Sequence, residues 1–223
     1  MKLRFFGHSA FEIKTDEGHT ILIDPYLDGN PVATVGSDKV EADFIVPTHA
    51  HGDHLGDTIK IANRCGSLVI CVAELAGYLS GKGLKTHAMQ VGGAHEFPFG
   101  KLKFTPAWHG SMTPDGHYAG PAAGVLLWID GVCVYHTGDT GLFYDMKLIG
   151  EMHDVDYMLV PIGDNYTMGI EDAVRAVEYV QPKNVVPIHY NTWPVIKADP
   201  QLFAKKVKAL GKECFVLNPG DVI

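Results

Sequence analysis

Residues 48–54 read Thr-His-Ala-His-Gly-Asp-His, which sets three imidazoles and a carboxylate in the spacing H-x-H-x-D-H. No other segment restricts the fold as strongly. Left without partners these groups pack poorly, and each polar atom taken out of water needs a hydrogen bond or an ion in return. A solvated polar loop is the bland reading of such a stretch. Imidazole nitrogen combined with carboxylate oxygen is, however, the donor set that suits zinc and other first-row divalent ions. A chain built around this stretch is therefore expected to hold it rigidly and to face it with further ligands.

The rest of the composition narrows the class. At 223 residues and 46% apolar content the chain suits one α/β domain, 1–223, with a substantial core. A formal charge of -8 argues against a protein whose main work is gripping phosphate backbones, since that needs clustered Lys and Arg. Small-molecule substrates fit better, and nucleic-acid partners are not expected. Cys65, Cys71, Cys133 and Cys214 are far apart and form no C-x-x-C pair, as expected of reduced core residues in a cytoplasmic protein. Met1 to Phe6 leads at once into Gly7-His8-Ser9 without the apolar segment of a signal peptide, and no run is long enough for a membrane span.

Along the chain, short apolar runs punctuated by Gly, Pro or Asp alternate with a few helical patterns. Strands are expected at Lys2–Phe6, Phe11–Lys14, Thr20–Ile23, Phe44–Val46, Leu68–Cys71, Lys101–Pro106, Gly124–Ile129, Val132–His136, Tyr157–Val160, Val185–Ile188 and Cys214–Leu217. Helices are expected at about Gly56–Asn63, Ala73–Ser80, Glu171–Val180 and Pro200–Leu210. The last would turn Leu202, Phe203, Val207 and Leu210 inward and leave Lys205, Lys206 and Lys208 on a solvated face.

Three more candidate ligands follow expected strands. His109 comes after Phe104-Thr105-Pro106, His189 ends the run Val185-Val186-Pro187-Ile188, and Asp139 follows Val134-Tyr135-His136 through Thr137 and Gly138. Each alone reads as a structural histidine or a turn aspartate. Together with the cluster they complete a set for two ions.

The order Asp24, His49-x-His51-x-Asp53-His54, His109, Asp139, His189 resembles the metallo-β-lactamase superfamily over essentially the whole chain. Gly7-His8-Ser9-Ala10-Phe11, Asp24-Pro25-Tyr26, the stretch Pro161 to Gly169 and His189-Tyr190-Asn191-Thr192 look most like its small general metal-dependent hydrolases, related to the ascorbate-6-phosphate lactonase group. The resemblance implies an α/β fold, a four-layer αββα sandwich of two sheets covered by helices, with metals in a cleft at the sheet edges. It implies that His49, His51 and His109 hold one ion, that Asp53, His54 and His189 hold a second, and that Asp139 bridges them. A metal-bridging hydroxide would then attack a small ester, lactone, amide or phosphoester. Asp53 would also move a proton.

Other residues carry looser expectations. Asp24, before Pro25, is expected behind the ligands, accepting from an imidazole rather than binding metal. His8 is expected either to act on substrate, as an acid for the leaving group, or to make a structural hydrogen bond. Asn191 and the 163–168 loop, Asn165 in it, are candidates to orient substrate, with an ordinary turn role as the alternative for Asn191. His136 reads as a core histidine, His117 as a cleft or turn residue, and His19, His87, His95 and His153 as surface or turn residues.

Departures from relatives narrow the reaction. Retention of His51, where diiron flavoproteins of this fold carry glutamate, favours hydrolysis over redox chemistry. No basic insertion of the kind that grips RNA is visible, so a phosphodiesterase or nuclease is the runner-up, and a non-catalytic metal-binding protein would leave a full ligand set idle. The donors accept zinc, manganese, iron or nickel, with zinc the first expectation and manganese the second. A homo-oligomer is compatible with such a domain.

Overall fold

Alternation along the strands decides where the layers lie. In Ala123–Ile129, Val125, Leu127 and Ile129 join one large apolar cluster while Leu126 joins another, the period of two expected when both faces of a strand are covered. Val134 likewise faces the first cluster and Cys133 and Tyr135 the second. The computed structural model, which describes residues 1–223, builds two sheets on this pattern.

The first sheet runs β1 (Lys2–Gly7), β2 (Ala10–Lys14), β3 (Thr20–Ile23), β4 (Phe44–Val46), β5 (Leu68–Val72), β6 (Lys85–Met89) in spatial order. Its first two pairings are antiparallel and the remaining three parallel. The second repeats the plan with one more strand. In it β7 (Ala94–Phe97), β8 (Gly100–Pro106), β9 (Ala123–Ile129) and β10 (Val132–His136) form an antiparallel meander. Then β11 (Tyr157–Pro161), β12 (Asn184–Ile188) and β13 (Glu213–Cys214) add in parallel.

Helices α2 (Thr58–Cys65) and α3 (Ala73–Gly81) bring Ile61, Ala62, Leu75 and Leu79 into the larger cluster, which includes side chains from both sheets. Helices α4 (Met146–Met152), α5 (Ile170–Val180) and α6 (Pro200–Ala209) cover the second sheet with Met146, Ile149, Ala173, Val177, Phe203 and Val207. The result is the expected αββα sandwich. Helix α6 starts where its sequence says it should: Asp199 accepts from the backbone of Gln201 and Leu202, and Pro200 fills the first turn.

Three expectations need correction. The helix read at Gly56–Asn63 is α2, which starts only at Thr58, and a separate one-turn helix, α1 (Gly52–Leu55), precedes it and is closed by Gly56 at φ 45°. A Cβ there would sit 2.5 Å from the Pro25 carbonyl, so the loop after β3 occupies the path a continuous helix would take. The strand read at Cys214–Leu217 is only Glu213–Cys214. Leu202 is exposed, since α6 meets its sheet through Phe203 and Val207. All four cysteines are unpaired, and no helix is long and apolar enough to cross a membrane.

Candidate metal centre

Strands β1 and β3 run the same way through their common neighbour β2, and β8 and β10 do so through β9. Their C-terminal ends and those of the parallel strands deliver His8, Asp24, the 48–54 stretch, His109, Asp139 and His189 to one edge of the sandwich. The backbone there is held in an unusual state: His8, Asp24 and His189 have φ of 58°, 46° and 53°. Left-handed conformations at non-glycine residues cluster at functional sites, where surrounding contacts over-determine them. At His189 one such contact is its N–H on the His8 carbonyl at 2.8 Å.

Two sets of donors converge. In the first, His51 Nδ1 lies 3.0 Å from His49 Nε2 and 3.2 Å from His109 Nε2. In the second, His189 Nε2 lies 3.6 Å from Asp53 Oδ2, and His54 Nε2 lies 3.8 Å from the same oxygen. Asp139 stands between the sets, with Oδ1 3.2 Å from His54 Nε2, and with Oδ2 3.0 Å from His189 Nε2 and 3.7 Å from His109 Nε2.

The donors suit an ion better than they suit one another. Three convergent ring nitrogens cannot all be satisfied mutually, since each contact needs one donor and one acceptor. Their spacing is close to the ~3.3 Å between ligand atoms of a tetrahedral zinc with bonds of about 2.0–2.1 Å. His54 Nε2 and Asp139 Oδ1 are buried without a hydrogen-bond partner, although each is aimed into the site. Buried polar atoms are otherwise almost always paired.

A second ring of contacts fixes the ligands. Asp24, fully buried, accepts from the Thr48 backbone at 2.7 Å and from the Thr48 hydroxyl at 2.8 Å, and His54 Nδ1 donates to it at 2.7 Å. Thr48 Oγ1 in turn is 3.1 Å from His49 Nδ1. Both imidazoles are thereby set with Nε2 toward the centre, as histidine ligands generally are by their outer partners. Asp24 thus stands behind the ligands. His8 is buried beside Asp53: its Nε2 donates to Asp53 Oδ2 at 3.1 Å and its Nδ1 accepts from the Thr192 hydroxyl at 2.8 Å.

The charges follow from these contacts. Burial pulls His8 down to about 4 against the pull of Asp53, so its ring is neutral at ordinary pH. Burial also works against charge on His54, but Asp139 and Asp24 outweigh it and hold the imidazole well above its usual range. His189, opposed by burial and favoured by Asp139 and Asp53, is raised to about 9. Burial disfavours ionised Asp139 and Asp53 as well. His54 and His189 around Asp139, and His189 and His8 against Asp53, prevail and keep both carboxyls far below the carboxylate range.

The donors form the floor of an open cleft of about 680 Å³. Its walls are Tyr26, Tyr166, Trp193 and Val195; Tyr166 falls in the 163–168 loop expected to orient substrate, whereas the other three were not assigned to the site. Tyr26 and Tyr166 lie inside motifs already singled out, and Trp193 is four residues past His189, so adjacency to ligands was the available signal. Asn165 and Asn191 do not line this cleft. Asn191 Oδ1 instead accepts from the Ala198 backbone at 3.0 Å and closes the loop carrying Trp193. His136 donates to the Ser9 carbonyl at 3.0 Å and is buried, as expected of a core histidine. His117 is exposed beside Asp115, outside the cleft.

Known proteins resemble the chain as a whole. The profile of the β-lactamase superfamily domain matches residues 2–189. The chain belongs to this family. A metal-dependent hydrolase of Carboxydothermus hydrogenoformans is 52% identical over 225 residues, covering 100% of this chain and 99% of the relative. Another, from Lysinibacillus sphaericus, is 50% identical over 227 residues at the same coverage. Among solved structures, a metallo hydrolase of the hyperthermophilic archaeon Ignicoccus hospitalis superposes with a TM-score of 0.92 at 39% identity, over 100% of this chain and 97% of that one. This member of the β-lactamase superfamily is a metal-dependent hydrolase, and the His and Asp groups at its sheet edge are its candidate metal ligands.

Proposed function

We propose that this β-lactamase superfamily hydrolase works with two divalent ions on a small ester, lactone, amide or phosphoester. The observation that carries the reading is the position of Asp139, whose Oδ2 lies 3.0 Å from His189 of one donor set and 3.7 Å from His109 of the other, while Oδ1 faces His54. His49, His51 and His109 would hold one ion, and Asp53, His54 and His189 the other. When bound, such ions make a water nucleophilic near neutral pH and polarise the bond under attack. Zinc suits the donors first and manganese second.

The chain's own groups divide the remaining work. Asp53 is the carboxylate with access to the cleft, 23% exposed against 3% for Asp139. It is ionised, and one of its oxygens is already engaged by His8. Its position, rather than its basicity, makes it the carboxylate that could relay a proton between water at the floor and the leaving atom. Asp24, Thr48, His8 and Thr192 hold the imidazoles and Asp53 in place, so little reorganisation is needed as charge develops. The cleft volume falls in the range of small-molecule sites.

The test has two readings. Metal analysis of reconstituted protein should give two ions per chain, and His109→Ala should bind fewer. A chromogenic panel of carboxyl ester, lactone, thioester, phosphomonoester and phosphodiester should show metal-dependent turnover that Asp53→Ala lowers by at least ~10³-fold. A single ion per chain at full activity would refute the two-ion reading.

A further inference from the structure

We infer that the group flanking the scissile bond of the substrate is uncharged and apolar, and that Trp193, Val195, Tyr26 and Tyr166 select for it. The inference rests on the hydrolase reading and concerns the walls of the same cleft. Apart from the candidate ligands and Gly52, every residue lining the cleft is one of these four, and none is Lys or Arg. Tyr26 spends its hydroxyl on the Gly29 carbonyl and turns its ring to the cavity. Tyr166 and Val195 are 55% and 51% exposed, an amount of apolar surface at the mouth that has no partner within the chain.

The Trp193 wall is built rather than incidental. Asn191, at φ 58°, donates its N–H to the Ile196 carbonyl at 2.9 Å while its side chain accepts from Ala198. Ile196 is fully buried and anchors the loop. Trp193 and Val195 are thereby held over the cleft, with the Trp193 ring edge-on to His8 at 4.9 Å and tilted against Tyr26 at 6.3 Å. A rigid aromatic wall binds a flat or branched apolar group with little loss of freedom on the protein side.

Charge argues the same way from the other direction. The ions, when present, neutralise an anion only at the reacting centre. An anionic group farther along the substrate would lie against indole, phenol rings and isopropyl, with no cation among the lining residues to balance its charge. The formal charge of -8 adds long-range repulsion. A polynucleotide, charged at every linkage beside the one cut, is the substrate this cleft fits worst.

The experiment uses metal-loaded protein and two hydroxamates that share one metal-directed headgroup, phenylacetohydroxamate and its 4-carboxy derivative, with affinities read by calorimetry. The neutral tail should bind at least ~10-fold more tightly. Val195→Lys, at an exposed position where folding is spared, should erase or reverse that preference, and Trp193→Ala should weaken the neutral ligand by about tenfold. Equal or tighter binding of the carboxylated tail by the unaltered protein overturns the inference alone. Binding of neither hydroxamate overturns the hydrolase reading as well.

Discussion

At the scale of single residues, the centre is a set of opposed charges in a dry place, and its pH response follows. His189 is held up at about 9 against an ordinary 6.5, so the folded metal-free protein binds this proton more tightly than the unfolded chain does. That stabilisation is complete below about 6.5 and is lost as pH rises toward about 9. Asp139 and Asp53 are shifted the other way, and their contribution persists above the ordinary carboxylate range, failing only in strong acid. The thermal midpoint of metal-free protein should therefore fall between about pH 6.5 and 9, while metal-loaded protein, whose ligands must be deprotonated, should hold or gain. Scanning calorimetry of both forms across that window checks it, and a rising midpoint for the metal-free form would contradict the assignment. His8 gives a second prediction. Its hydrogen bond is the tether on Asp53, so His8→Phe should weaken metal binding about 10–100-fold in competition with a chromophoric chelator.

At the scale of elements, the ends of β11 and β12 approach so closely that only glycine fits at 163. A Cβ built there lies 2.1 Å from the His189 carbonyl oxygen. Gly163→Ala should cost about 1–3 kcal/mol in denaturant unfolding and displace His189, lowering metal affinity in the same variant. Elements with an apolar face were legible: ten strands and the helices at Thr58–Cys65, Ala73–Gly81, Ile170–Val180 and Pro200–Ala209 match the reading to within a few residues. What escaped notice was polar or short. Strand β6 reads Lys-Thr-His-Ala-Met and β7 reads Ala-His-Glu-Phe, edge strands with mixed or exposed faces and no clean alternation. Helix α1 is one turn inside the metal motif, and α4 contains Gly150 within seven residues. The candidate ligands were picked out by residue type and order, and the structure brings them to one edge of the sheets with Asp24 hydrogen-bonded behind them. Beyond the 163–168 loop the cleft walls were not legible, because Tyr26, Trp193 and Val195 come from separate loops whose meeting with Tyr166 is a property of the folded chain.

At the scale of the whole molecule, the cores and the centre are largely separate. The two sheets have apolar clusters of 41 and 17 buried residues of their own, enough to expect them to pack without metal. Chelation should leave the far-ultraviolet circular dichroism unchanged and lower the thermal midpoint by about 5–10 °C relative to protein held at ~100 times the dissociation constant of its metal. Collapse of the spectrum on chelation would show instead that the metal nucleates the fold. The donors are also divided between the halves: the 48–54 stretch follows a strand of the first sheet, whereas His109, Asp139 and His189 follow strands of the second. Metal bound between these donors, as proposed above, would therefore act as a rivet through the seam between two layers. Parting that seam severs coordination whichever sheet gives way, so the appearance of free metal would serve as a clock for the opening of the sandwich, readable by a coloured indicator in solution without any label on the protein.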